Sequence, residues 1–340
     1  MNKWDLLSLL REHSENSENL EQKYISGEEI SKRFGVSRSA VWKVINDLKK
    51  FGYEIDSKTN NGYKIITSED SDILNEYEIL CRLKKKNLCY DVIYKKSTDS
   101  TNNDAKKYLN ANKSNNLFIA EEQTAGKGRR GRSFYSENNG GVYFTIKINQ
   151  NNNIDTDIYI DINDITFFPL MAALAVNKAV SSLCGIDLAV KWPNDLLYKS
   201  GQNYKKLCGI LTEASIEAET RNISYIIIGI GININNGIND FPDYIKNTAS
   251  SLKIITNKKY NRADIICETV DCFTKLISIS REELIDEYKK RLLLGVNISF
   301  AQNGRLLKGI AKDINSNGNL ITTLENGEDI IIQSGEINFI

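Results

Sequence analysis

In 340 residues, 44 Lys and Arg balance 44 Asp and Glu, and apolar and charged contents of 41% and 26% are those of an ordinary soluble protein with room for two or three domains. The single histidine, His13, lies far in sequence from every glycine-rich segment, which excludes a Ser-His-Asp or Cys-His hydrolase and a histidine-ligated zinc site. Six cysteines without a C-x-x-C pair, and no signal peptide or long apolar run, predict a cytoplasmic chain with reduced thiols and no membrane partner.

Residues 4–11 carry leucines at helical spacing and are followed by an acidic, asparagine-rich stretch to about residue 22. Ser26 with Glu29 three residues on starts a helix, Gly35 marks a turn, and Ser37 caps a second helix to about Phe51. Val41, Ile45 and Leu48 share one face of that helix, leaving Arg38, Ser39, Trp42 and Lys43 on others. The strand-like runs around Asn60-Asn61-Gly62 predict a β-hairpin wing. Residues 1–66 therefore read as a winged helix-turn-helix. Residues 31–50 hold six bases against one acid, while the preceding thirty hold seven acids against three bases. This local basicity suits a DNA-reading face, with Arg38, Ser39, Trp42 and Lys43 toward DNA and Lys64 near phosphate.

Residues 67–89 read as a connection, acidic over 67–80, and residues 90–292 as a mixed α/β domain. Strands are expected at 91–94, 117–120, 142–148, 188–191, 207–214 and 223–233, and helices at 102–109, 167–183, 261–279 and 281–290. From 293 to 340, short β runs punctuated by Asn-Gly predict a small SH3-like β-barrel. The fold class is thus α/β (α+β) and multidomain.

The densest feature is the loop EEQTAGKGRRGRS, residues 121–133. Gly126, Gly128 and Gly131 let the backbone approach a ligand, and Lys127, Arg129, Arg130 and Arg132 can close on a polyanion. Its Gly-x-Gly-x-x-Gly spacing matches a dinucleotide fingerprint, but the following SFYSENNGGVYFTIKI is a turn and a strand, not a helix. No P-loop sequence is present.

Ser100-Thr101-Asn102, the basic loop, KWPND (191–195), KKLCGIL (205–211) and GIGIN (229–233), in this order between a winged helix and a β tail, resemble the biotin-protein ligases that double as biotin operon repressors. The resemblance spans essentially the whole chain. It implies synthesis of biotinyl-5'-AMP from biotin and ATP, with Mg²⁺ brought by the nucleotide and no metal fixed by the protein. Biotin then passes to a lysine of a biotin carboxyl carrier protein, such as the carrier subunit of acetyl-CoA carboxylase. The family's biotin contacts fall on Ser100, Thr101, Asn102, Gln123, Lys127, Gly128, Arg129 and Lys206. Lys206 also corresponds to the lysine that bridges the biotin carboxylate and the phosphate, and is expected to be catalytic with Lys127, Arg129 and Asp195. Asp195 would orient or deprotonate the incoming amine. Arg130, Arg132, Phe134, Asn194 and Asn233 map to adenylate or ATP contacts. Operator DNA and a ligand-linked homodimer complete the implied partners.

Three departures from the family pattern stand out: Lys127 replaces an arginine, Phe134 a tryptophan, and the chain ends at Ile340 where a well-known relative carries an arginine near the nucleotide. The alternatives are a ligase with a non-functional winged helix, a lipoate-type ligase, and a pure regulator that binds biotin without ligating it. Lys206 and the complete basic loop argue against the regulator, and the loop with KWPND favours biotin over lipoate.

Overall fold

The helix-starting serines behave as their sequence context dictates. Ser26 Oγ accepts a hydrogen bond from the Glu29 N–H (3.0 Å) and Ser37 Oγ one from the Ala40 N–H (3.2 Å), satisfying first-turn donors that have no partner inside the helix. The computed structural model describes residues 1–15, 24–59, 61–68, 71–108, 114–137, 140–149, 164–216, 223–302 and 304–340. The acidic stretch near residue 20 and Asn60 of the wing lie outside them. The chain forms two compact units, Met1–Ile73 and Leu74–Ile340.

In the first unit, α1 (Lys3–Glu15), α2 (Gly27–Phe34) and α3 (Arg38–Lys50) bury Leu6, Leu7, Leu10, Ile30, Val41, Ile45 and Leu48. Gly35 ends α2 in the left-handed conformation (φ 63°). The wing is β1 (Ile55–Lys58) against β2 (Gly62–Ile65), antiparallel from Ile55↔Ile65 to Lys58↔Gly62. Gly62 is required there, because a Cβ would lie 2.0 Å from the Ile25 carbonyl oxygen.

The second unit opens with α4 (Glu76–Lys85), where the sequence suggested an acidic connection. Asn75 caps it, and Ile79 and Leu83, four residues apart, join the main core. Next come β3 (Asp91–Thr98), α5 (Thr101–Lys107), β4 (Asn116–Gln123), β5 (Val142–Asn149) and α6 (Phe168–Cys184). After these lie β6 (Ala189–Lys191), β7 (Asp195–Ser200), β8 (Asn203–Ile216) and β9 (Ile223–Ile232). The helices α7 (Asp243–Lys246), α8 (Leu252–Thr256), α9 (Arg262–Ile277) and α10 (Arg281–Lys289) complete the central region. The sheet order is β3-β4-β5-β9-β8-β7-β6, antiparallel except for β3 with β4. Strand β7 was not anticipated; it turns at Gly201 (φ 62°) into β8, which starts four residues before the expected position 207.

One face of the sheet is covered by α6 and α9. Val142, Phe144, Ile146 and Ile148 of β5 share their core, and each fully buried side chain of this kind contributes about 1.5–3 kcal/mol. The opposite face of β5 carries Thr145 and Lys147 beneath α5.

The C-terminal strands β10 (Asn297–Gln302), β11 (Arg305–Ile314), β12 (Leu320–Leu324), β13 (Asp329–Ile332) and β14 (Ile337–Phe339) form an antiparallel sheet in the order β13-β12-β11-β10-β14. Among the described residues β13 and β14 do not pair, so the expected SH3-like barrel is an open sheet. Ile298, Phe300, Ala311 and Leu320 belong to the same core as the seven-stranded sheet, and Trp192 Nε1 donates to the Gly318 carbonyl (2.9 Å).

Candidate functional site

A cavity partly open to solvent lies over the middle of the large sheet, lined by both polar and apolar groups as small-molecule sites are. One end is neutral and polar. The Thr101 N–H and Oγ1 donate to Gln123 Oε1 (2.9 and 3.1 Å), and Gln123 Nε2 donates to Ser136 Oγ (3.2 Å). Thr145 Oγ1, fully buried on β5, lies 2.7 Å from Asn102 Oδ1 and 2.8 Å from Thr101 Oγ1. Asn102 Nδ2 donates to Glu213 Oε2 (2.9 Å), and Lys106 Nζ approaches Glu213 Oε1 at 2.6 Å. Desolvation raises the Glu213 pKa, but the hydrogen bonds from Lys106 and Asn102 together with the charges of Lys106 and Lys127 outweigh it and hold the carboxyl below its ordinary value.

The floor is made of glycines. A Cβ at Gly229 would lie 2.2 Å from Asn102 Oδ1, one at Gly231 2.4 Å from the Phe134 ring, and one at Gly209 2.8 Å from the same ring. These residues of GIGIN and LCGIL therefore let α5 and the basic loop lie directly on β8 and β9.

The other end is cationic. Arg129, Arg132, Lys191 and Lys206 line the cavity against the carboxylates Asp195 and Glu336, an excess of two positive charges, and Lys127 also lines it with its Nζ donating to Asn103 Oδ1 of α5 (3.0 Å). The β7–β8 register shifts between Leu196 and Leu197, making Leu207 an extra residue, and just before it Lys206 Nζ lies 2.8 Å from Asp195 Oδ1. Burial, then the neighbouring Arg130 charge, lower the Arg129 pKa, and burial likewise depresses Lys191. Arg129 donates to the Gly335 carbonyl (2.7 Å) and Arg132 pairs with Glu336, so the C-terminal sheet reaches the basic loop.

Across 253 residues the chain is 37% identical to the bifunctional ligase/repressor BirA of Bacillus subtilis, covering 74% of this chain and 73% of that protein. The chain belongs to the bifunctional biotin ligase/repressor family. Residues 94–233 match the biotin/lipoate A/B protein ligase family and residues 18–64 a helix-turn-helix domain. The BirA of Escherichia coli is 29% identical over 209 residues, covering 62% of this chain and 59% of that protein. Among solved structures, the biotin protein ligase of Aquifex aeolicus in complex with biotin and ATP superposes with a TM-score of 0.59 at 25% identity, over 74% of this chain and 98% of that one.

Most residues that the family resemblance singled out meet at this cavity. Ser100, Thr101, Asn102, Gln123, Lys127, Gly128, Arg129, Arg132, Phe134, Asn194, Asp195 and Lys206 all line it. Ser100 occupies the N-cap position of α5, but its side chain makes no capping bond. Asn194 spends its amide on the Ile210 carbonyl (2.5 Å) and Arg129 (3.5 Å). Asn233 lies instead in an adjoining cavity that Phe134, Lys191 and Lys206 share, with its Nδ2 donating to the Ser250 carbonyl (3.0 Å). Arg130 is exposed in a left-handed conformation (φ 54°) and lines neither cavity. Gly126 serves the loop itself, since a Cβ there would lie 2.5 Å from the Phe134 carbonyl oxygen. Thr145, Lys191, Glu213 and Glu336 were not anticipated. Only Lys191 carried a sequence signal, as the first residue of KWPND.

In the first unit Arg38, Ser39, Trp42 and Lys43 are exposed, and Trp42 retains 58% of its accessible surface. Arg38 is ion-paired with Glu28 of α2, and Lys64 of the wing lies 5.7 Å from the centre of the Tyr24 ring. Among the described residues no cluster of three or more His, Cys, Asp or Glu could hold a metal, and no helix is long and apolar enough to cross a membrane.

Proposed function

We propose that this chain is a cytoplasmic, ATP-dependent biotin-protein ligase and a biotin-responsive repressor of biotin genes. It makes biotinyl-5'-AMP, then transfers the biotinyl group to a lysine of a biotin carboxyl carrier protein. The carrying observation is one cavity that joins a neutral donor–acceptor end to a cationic one, with five basic side chains against two carboxylates in its lining. The neutral end suits an uncharged ureido ring. The cationic end suits a carboxylate attacking a phosphate, a step that brings two anions together.

In the first step a biotin carboxylate oxygen bonds to the α-phosphorus of Mg²⁺-bound ATP and the bond to the leaving pyrophosphate breaks. Lys206, with Lys127 and Arg129, stabilises the negative charge that develops. Lys206 must first exchange its 2.8 Å contact with Asp195 for substrate oxygens. This exchange frees the Asp195 carboxylate to orient the acceptor amine and take its proton in the second step, when the amine attacks the biotinyl carbonyl and AMP leaves. Asn233, Arg132 and Phe134 bound the neighbouring cavity, which we assign to the nucleotide.

The reading face of α3 supports the repressor role. A single helix-turn-helix reads only a half-site, so two chains about 34 Å apart along the duplex are needed. Strand β8 runs past the end of β7, whose pairing reaches only Gly209, and thus offers residues 211–216 as an edge for a second copy. Incubation with ATP, Mg²⁺ and either biotin or lipoate, followed by mass spectrometry, tests the ligase. The biotin adenylate is expected, and formation of only the lipoyl adenylate overturns the biotin reading.

A further inference from the structure

Lys147 is 4% exposed on β5, in a segment (VYFTIKIN) otherwise dominated by β-branched and aromatic residues. Among the described residues no carboxylate forms a salt bridge with it. Its Nζ donates to the carbonyls of Ala105 (2.9 Å) and Tyr108 (2.8 Å) and stands 4.5 Å from the centre of the Tyr225 ring. A buried ammonium without a counter-ion is retained only where fixed dipoles replace its hydration. Those dipoles are the carbonyls at the end of α5, where the helix macrodipole is negative and the chain turns to an extended conformation at Tyr108.

Helix α5 has seven residues, too few to hold its shape unaided. Its first turn carries Thr101 and Asn102, bound to Thr145, two residues before Lys147 on the same face of β5. One strand face thus fastens both ends of the helix that forms the neutral wall of the cavity.

We propose that Lys147 is a positioning residue for biotin recognition, fixing the end of α5 to β5 and thereby setting where Ser100, Thr101 and Asn102 stand. The inference rests on the ligase reading. Because Arg129, Arg132, Lys191 and Lys206 stand on other elements, and only Lys127 touches α5 (its Nζ donates to Asn103 Oδ1, 3.0 Å), removing this anchor weakens the recognition of biotin selectively.

The test compares wild type with Lys147→Met, Lys147→Gln and Lys147→Arg in the full chain. Calorimetry gives the Kd for biotin without ATP, and steady-state adenylation gives kcat and the KM for each substrate. For Lys147→Met the biotin Kd and KM should rise about tenfold or more, as displacement of a binding group by a fraction of an ångström can do. The kcat at saturating biotin and the KM for ATP should stay within about twofold of wild type. Lys147→Arg, which keeps charge and donors, should restore most of the loss, with Lys147→Gln between. Should Lys147→Met fail to fold, the same ordering is read from the other two variants. An unchanged biotin Kd, a parallel fall of kcat and ATP affinity, or no advantage of arginine over glutamine overturns the inference. Failure of the wild type to bind biotin overturns the ligase reading instead.

Discussion

Replacing Gly229 by alanine isolates the close approach of α5 to the sheet. Gly229 lies between Thr145 of β5 and Leu211 of β8, hydrogen-bonded strands on both sides, so its backbone has little freedom to yield. The new Cβ would lie 2.2 Å from Asn102 Oδ1, and Asn102 must move. That breaks its contacts with Thr145 (2.7 Å) and Glu213 (2.9 Å). Each buried polar group left unpaired costs about 1–3 kcal/mol, and overpacking adds about 1–3 kcal/mol. Water from the open cavity recovers part of this, leaving a destabilisation of about 2 kcal/mol. Displacing Asn102 should also weaken biotin binding by about 1.4–2.8 kcal/mol, or about 10- to 100-fold. The sign is diagnostic, because a glycine-to-alanine change at an unobstructed site compatible with alanine stabilises by about 0.4–1 kcal/mol through the unfolded chain. Urea denaturation and calorimetry with biotin read the two effects. A variant as stable as wild type that binds biotin equally well would falsify the packing argument.

Lys206→Ala should leave the denaturation midpoint nearly unchanged but slow adenylate formation by roughly 10²- to 10³-fold, as seen when one preorganised donor is removed; near-normal single-turnover adenylation removes Lys206 from the mechanism. Trp42→Ala should change stability by less than about 0.5 kcal/mol, whereas Leu48→Ala, at a fully buried position, should cost about 2–5 kcal/mol. Trp42→Ala should also weaken adenylate-dependent binding to the promoters of biotin genes in an anisotropy titration, and unchanged affinity would place the reading face elsewhere. Because the folded-state pKa of Glu213 is lowered, its charge adds stability above the unfolded-state value, and that stability is lost as pH falls through the folded-state value. Glu213→Gln should therefore be less stable than wild type at pH 7 and converge with it in acid, and a deficit independent of pH would show that the charge plays no part.

The winged helix was legible because its signals are local: Ser26, Gly35 and Ser37 mark ends, and Val41, Ile45 and Leu48 mark one face. In α4 the same signals were present in Asn75, Ile79 and Leu83, but acidic neighbours masked them. Strand β7 was hidden because its first residue also ends KWPND, which the family resemblance presented as a site motif. The cavity's principal side chains could be named from five short segments. Thr145 and Glu213 could not, because their roles arise from the sheet order that sets β5, β9 and β8 side by side. Whether the C-terminal strands close a barrel depends on the pairing of β13 with β14, which their local sequences do not specify.

The bond from Arg129 to the Gly335 carbonyl joins positions 206 residues apart. At about 5–20 residues per second, a ribosome takes about 10–40 s to make the intervening chain. During that interval the basic loop lacks its final anchor, and the cavity lacks Glu336 from its wall. A nascent or truncated polypeptide that stops short of residue 335 therefore lacks both this anchor and the Glu336 carboxylate of the cavity wall.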